Sequence, residues 1–268
     1  MISINLTIHN KDFLIEKVLE SIINNTVLPY ELIIVLDGCT DKSEEKTYNF
    51  LKKTKVKYKI YYTNNVFETK ANNVAANNSE NDIIIIIQDD MVINEHGWDK
   101  RIIKPLKEFN DVISVTANAS HDFIYNINNN CEKLDSNYLG YSDIIYPVNI
   151  VNKKTNPSRE TFVIRSTSNR GPLAINHIDF KKLNYFDEIF SPLEMDDHDL
   201  HYRAYTQLGK VTGLYWIDYI SEENWGGTRI NGHQPWFLKS VHKNQKIIIN
   251  RHIEQINKNR SGEIRQLK

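Results

Sequence analysis

The chain has 268 residues, 40% of them hydrophobic and 25% charged, with a formal net charge of −1. That length suits one large domain, and that composition sets aside disordered and fibrous classes. A charge near zero gives no global field for gathering nucleic acid, and two cysteines, Cys39 and Cys131, make neither a disulfide framework nor a four-ligand zinc site.

The longest apolar run, residues 83–87, falls far short of the ~20 residues that cross a bilayer. The first residues lead straight into a strand pattern without a basic, cleavable leader, so a soluble cytoplasmic protein is expected.

Residues 2–8 read as a first strand. Leu14, Val18 and Ile22, with Ile15, Leu19 and Ile23, recur at i+4 and predict an amphipathic helix capped by Asn10. Residues 32–36 form a fully apolar strand ending at Asp37-Gly38, and Asp41 with Glu44 resembles a capping box opening the next helix. Alternation at Val56, Tyr58, Ile60 and Tyr62 predicts a half-buried strand, a short helix follows over residues 70–78, and the run at 83–87 is expected to be a central strand.

Such strand, turn and helix repeats predict an α/β protein with a mostly parallel central sheet flanked by helices. Ligands of these sheets bind beyond the carboxyl ends of the strands, so His9, Asn10, Asp37, Gln88, Asp89 and Asp90 are expected along one edge. Trp98, Ile102, Leu106 and Phe109 mark one further helix, and residues 112–116 a strand. Residues 117–156 carry little periodicity and many Asn, which predicts a variable surface region folding over substrate. The basic C-terminal stretch (Lys239, Lys243, Lys246, Arg251, Lys258, Arg260, Arg265, Lys268) reads as a solvated amphipathic helix, with peripheral membrane contact as the alternative.

Two acidic clusters carry the chemistry. Asp89 and Asp90 follow the apolar strand directly, and adjacent carboxylates there gain most from a hard cation between them and a diphosphate. Glu194-Met195-Asp196-Asp197-His198-Asp199 opens a helix; capping by the dipole explains part of it, and a carboxylate at the mouth of a site suits a general base that activates a hydroxyl. Trp216, Trp225 and Trp236 are candidates for stacking on a sugar, although burial is the commoner fate of Trp.

Several segments in order resemble a family 2 glycosyltransferase of the GT-A, Rossmann-like fold over residues 1–220. They are Leu6-Thr7-Ile8-His9-Asn10-Lys11, Leu36-Asp37-Gly38-Cys39, Ala71-Asn72-Asn73, Gln88-Asp89-Asp90, Arg170-Gly171-Pro172-Leu173-Ala174, Phe186-Asp187-Glu188 and Asp196-Asp197-His198-Asp199-Leu200. The resemblance implies a nucleotide-binding half over residues 1–116, an acceptor-side half over 117–220, and an extension over 221–268 that packs on or near the site. It implies that Thr7, Ile8, His9, Asn10, Asp37, Asn73, Gln88, Asp89, Arg170 and Gly171 contact a nucleotide sugar, with Asp37 bonding the base. Gln88 departs from the family's acidic residue at that position, which commonly touches ribose.

By the same resemblance Asp90 coordinates Mn2+ or Mg2+ and Asp197 is the general base, with Asp196 its nearest competitor. A downstream histidine is often a third metal ligand, which makes His233 the candidate and His242 the reserve. The implied reaction moves a sugar from a nucleoside-diphosphate sugar, a UDP-sugar being favoured, to an acceptor hydroxyl with inversion. The acceptor stays open among glycan, lipid-linked molecule and protein, and no nucleic-acid partner is expected. One rival is a sugar nucleotidyltransferase, suggested by Gly226-Gly227-Thr228-Arg229; such a phosphate-cradling signature belongs after the first strand, where there is no glycine. The other is a binding protein that keeps the fold without turnover.

Overall fold

The computed structural model describes residues 1–126, 138–145, 159–226, 234–256, 258 and 263–268. The N-terminal half runs β1 (Ile2–Ile8), α1 (Ile15–Asn25), β2 (Tyr30–Asp37), α2 (Ser43–Leu51), β3 (Tyr58–Thr63), α3 (Phe67–Asn77), β4 (Ile83–Gln88), β5 (Val92–Ile93), α4 (Trp98–Ile102), α5 (Lys104–Glu108) and β6 (Val112–Thr116). Then follow β7 (Ser120–Asn126), β8 (Tyr138–Ile145), β9 (Thr161–Arg165), β10 (Thr167–Ser168), β11 (Leu173–Asn176), α6 (His177–Lys182), a 3-10 turn (Glu188–Phe190), α7 (Asp196–Leu208), β12 (Val211–Leu214), β13 (Tyr219–Ile220), α8 (Pro235–Ile256) and β14 (Ile264–Gln266).

Among the described residues the main sheet has nine strands in the order β14-β9-β12-β6-β11-β4-β1-β2-β3. Strands β4, β1, β2 and β3 run parallel, joined by helical crossovers. The other half is mixed: β11 lies antiparallel between β4 and β6, whereas β12 runs parallel to β6.

Why five isoleucines in a row make β4 follows from its two covered faces. Ile85 and Ile87 join a core cluster with Val18, Ile22 and Trp98 on one side of the sheet. Ile84 and Ile86 join Phe180, Leu200 and Ala204 on the other. A strand buried on both faces reads as an uninterrupted apolar run.

Three expectations are corrected. Asn10 does not cap α1, which starts after Leu14 with no side-chain cap; its amide oxygen instead accepts the Thr40 N–H at 2.8 Å and the Asp41 N–H at 3.3 Å. The single helix expected from Trp98 to Phe109 is two, because Pro105 has no N–H to continue the first and sits in the opening turn of the second. Within the stretch taken as an irregular surface region, residues 120–126 and 138–145 are strands of a separate three-stranded sheet with β10.

The C-terminal elements attach at two places. Strand β14 pairs antiparallel with β9 at the sheet edge, and Ile248, Ile249 and Ile256 of α8 pack on Phe190, Met195 and Tyr202. No helix among the described residues is long and apolar enough to cross a membrane.

Gly213 in β12 marks a close approach: a Cβ there would stand 2.2 Å from the Val163 carbonyl oxygen and 2.9 Å from the Phe162 ring. Gly213→Ala is expected to lower stability by about 1–3 kcal/mol, measured by urea denaturation at unchanged slope.

Candidate active site

Beyond the carboxyl ends of β1, β2 and β4 lies a cleft of about 940 Å³, where the topology of a parallel sheet places ligands. Thr7, Ile8 and His9 form its floor, and Gln88, Asp89, Asp90 and Met91 continue it from β4. Register explains the neighbourhood, since Thr7 pairs with Gln88 and the next free amide, that of His9, donates to Asp89 Oδ2 at 2.9 Å. His9 Nδ1 donates to the Asp37 carbonyl at 2.5 Å, tying β1 to β2.

The opposite wall comes from α7 and the segment before β11. Arg170 and Asp197 both line the cleft, and the Arg170 N–H donates to Asp197 Oδ2 at 3.0 Å. The other carboxylate oxygen of Asp197 accepts the His198 N–H at 2.9 Å. The Arg170 guanidinium is held between the fully buried Asp196 and Glu68, 3.3 Å from the latter, and lies over the Phe186 ring.

Charge in the cleft is one-sided. Asp37, Glu68, Asp89, Asp90, Glu194 and Asp197 line it, and Arg170 is the only Arg or Lys among its described lining residues. Burial pushes Asp89 up to about 6; Lys11 and the His9 amide offset part of this, and Asp90 adds to it. Burial likewise pushes Glu194 up to about 7, with Asp197 and Glu68 adding repulsion. For Asp197 burial works against ionisation, but His198, the Arg170 guanidinium and the donated Arg170 N–H outweigh it and keep the carboxyl below its ordinary value. Beneath it, His201 is buried and pushed down to about 3, which leaves it neutral, its Nδ1 accepting the Ser168 N–H and its Nε2 bonded to Ser114 Oγ.

No group of three His, Cys, Asp or Glu converges as a ready-made metal cage among the described residues. What the cleft does supply is hard oxygen donors in excess of cations, the chemistry that suits Mg2+ or Mn2+ shared with phosphate oxygens.

Residues 3–130 match the family model described as glycosyl transferase family 2. That segment is similar to the family 2 glycosyltransferases. The chain's fold is GT-A. The Staphylococcus aureus TarS fragment 1–349 in complex with UDP-GlcNAc is similar at a TM-score of 0.61 and 15% identity, covering 95% of this chain and 70% of that one. GalNAc-T7 with UDP, GalNAc and Mn2+ has a TM-score of 0.68 at 12% identity, covering 96% and 49%. A mannosyltransferase from Pyrobaculum calidifontis in complex with GDP-Man and Mn2+ has 0.54 at 13%, covering 80% and 56%. None of the curated proteins matches this sequence.

The family 2 match ends before α7, so Asp197 is placed by the fold and not by the matched segment. Of the residues singled out in the sequence, the cleft is lined by Thr7, Ile8, His9, Asp37, Gln88, Asp89, Asp90, Arg170, Asp197, Trp216 and Trp236. Others do not line it. Asn10 braces the turn after β2, as above. Asn73 holds the backbone of Phe186 from both sides, donating to its carbonyl at 2.9 Å and accepting its N–H at 3.1 Å. Gly171 lies behind the cleft with φ 65°, where a Cβ would press on Gln88 and Met91. Asp196 is fully buried and ion-paired with Arg170, away from the cleft lining.

Asp37 reaches the cleft, but its carboxylate is engaged: Oδ1 accepts the Thr63 hydroxyl and Val66 N–H, each at 2.7 Å, and Oδ2 accepts the Phe67 N–H at 2.9 Å. A base contact by its carboxylate, as expected from the resemblance, would compete with the turn it holds. His233 lies outside the described residues, and His242 sits on the exposed side of α8, away from the cleft lining.

Phe67 and Glu68 line the cleft without a signal in the sequence, and Glu194 reads there only as part of an acidic run, with no role of its own. No glycine flags the left-handed turn that Glu194 makes with Met195, φ 70° and 73°. Asn244 of α8 secures that turn, its buried amide donating to the carbonyls of Phe190, Leu193 and Glu194 at 2.7, 2.8 and 3.1 Å.

A carboxyl raised from 4.5 to about 7 keeps its proton in the folded state while the unfolded chain releases it. Stability from this group is therefore lost as pH rises through that window. Glu194→Gln is expected to be more stable than wild type by on the order of 2 kcal/mol at pH 8, with the difference shrinking toward pH 5, measured by denaturation across pH.

Proposed function

We propose that the protein transfers a sugar from a nucleoside-diphosphate sugar, a UDP-sugar, to an acceptor hydroxyl with inversion. The observation that carries this proposal is that a single cleft is lined both by Asp89 and Asp90, beyond β4, and by Asp197, at the start of α7. Relatives of the same fold described with UDP-GlcNAc, GDP-Man and Mn2+ support the donor class.

In this mechanism Asp197, held ionised, accepts the proton of the acceptor hydroxyl as its oxygen attacks the anomeric carbon and the bond to the diphosphate oxygen breaks. One displacement inverts that carbon. Arg170 positions Asp197 through its backbone N–H, and Asp196 with Glu68 holds Arg170 in place. Asp90, with Asp89 beside it, would hold Mn2+ or Mg2+, which when bound would supply positive charge against a diphosphate leaving group. Thr7, Ile8, His9 and Gln88 bear on the nucleotide from the floor. Residues 1–220 form the catalytic unit, and Ser221, Gly226, Trp236 and Phe237 from the stretch after it add to the cleft wall.

The test is a panel of nucleotide sugars assayed for metal-dependent hydrolysis and transfer. Asp197→Asn is expected to bind donor as wild type does and to lose about 10²–10⁴-fold in turnover. Wild-type turnover in that variant would overturn the base assignment. Calorimetry of UDP with Mn2+ and with EDTA should show tighter binding with the metal in wild type and no such gain in Asp90→Ala; equal affinity in all four conditions would overturn the metal site.

A further inference from the structure

Among the aromatic side chains that line the cleft and that this chemistry leaves unused, two touch each other in the open. Phe67 and Trp236 both line it, are 39% and 43% exposed, and touch with ring centroids 6.2 Å apart. Large rings ordinarily supply core burial, so a touching pair left open at a cleft wall is informative.

Separate devices put the two rings there. Phe67 adopts φ 66°, a left-handed conformation that a bulky side chain rarely takes and that persists only where neighbours enforce it. Asp37 enforces it through the Val66 and Phe67 amides. Trp236 arrives from the far end of the chain in the first turn of α8, next to the buried Phe237 and on the helix whose Asn244 is fastened to the 190–194 segment.

We propose that Phe67 and Trp236 form an aromatic platform on which the nucleobase of the donor stacks, an inference that rests on the glycosyltransferase reading. Topology sets the direction. In the order β11-β4-β1-β2-β3, Asp89 and Asp90 stand at β4, and Asp197 is bonded to Arg170 just before β11, on one side of them. Phe67 follows β3, on the other side. A nucleoside diphosphate with its phosphates at the carboxylate pair and its sugar toward Asp197 sends its base toward Asn65 and Phe67. Stacking uses the π-face common to all bases, so the platform supplies affinity and the choice among bases falls to edge contacts elsewhere.

Calorimetry with UDP and with inorganic pyrophosphate, both in Mn2+, tests this on wild type, Phe67→Gly, Trp236→Ala and Trp236→Phe. Glycine suits the left-handed backbone at position 67, and Trp236 is exposed, so the variants are expected to fold, as circular dichroism would verify. UDP binding should weaken about tenfold or more in Phe67→Gly and Trp236→Ala and recover in Trp236→Phe, with pyrophosphate binding unchanged throughout. UDP binding within twofold of wild type in both ring-removing variants, or an equal loss for pyrophosphate, overturns the platform and leaves the glycosyltransferase reading standing. A wild-type protein that binds pyrophosphate but no nucleoside diphosphate overturns both.

Discussion

Six carboxylates line the cleft, and the guanidinium of Arg170 is spent on Asp196 and Glu68 before any ligand arrives. This imbalance shapes much of the site. Burial first, and the neighbouring carboxylates after it, raise the carboxyls of Asp89 and Glu194, and a further anion placed at the end of β4 would need positive charge beside it. The same guanidinium helps to keep Asp197 ionised, so one buried cation separates an acid that stays charged from neighbours that resist charging. Carboxylates in one cavity with their proton affinities pushed apart suit the separate roles proposed for them, one as base and others toward metal and phosphate.

A second theme is that polar residues near the cleft act mostly on backbone. Asp37 fastens the turn between β3 and α3, Asn10 the turn after β2, Asn73 the segment at Phe186 and Asn244 the turn into α7. Each satisfies amides or carbonyls that a loop would otherwise leave unpaired next to a cavity. The walls are thereby fixed before a ligand binds, which spares a ligand the cost of ordering them.

The legibility of the sequence follows from the same division. Strands β1, β2, β4 and β6 and the helix α7 were readable because burial on two faces, or on one helical stripe, writes itself as a run or a period. Asp89 and Asp90 stood out because two adjacent carboxylates directly after a buried strand repel each other, and Asp197 because its cluster carries more ionisable groups than helix capping requires. Asn10 misled as a cap of α1, and the backbone partners of Asn73 and Asp37 could not be read, because residue type announces hydrogen bonding but not the partner, which for Asp37 lies 26 to 30 residues away. Strand β7 was missed since its opening Ser120-His121-Asp122 is polar on both faces, and what buries it is a partner strand and the histidines of α7 rather than an apolar pattern.

The attachment of α8 and β14 has a consequence for how the molecule comes into being. During synthesis the parallel strands and both β4 carboxylates emerge early and can pair among themselves. The turn carrying Glu194 waits for Asn244, the cleft wall for Trp236, and the free edge of β9 for β14. A nascent chain could therefore hold the floor of the cleft long before α8 and β14 set its wall and the sheet edge. Chains truncated anywhere in α8 would present an unpaired β9 edge, which makes them candidates for aggregation and clearance rather than for partial activity.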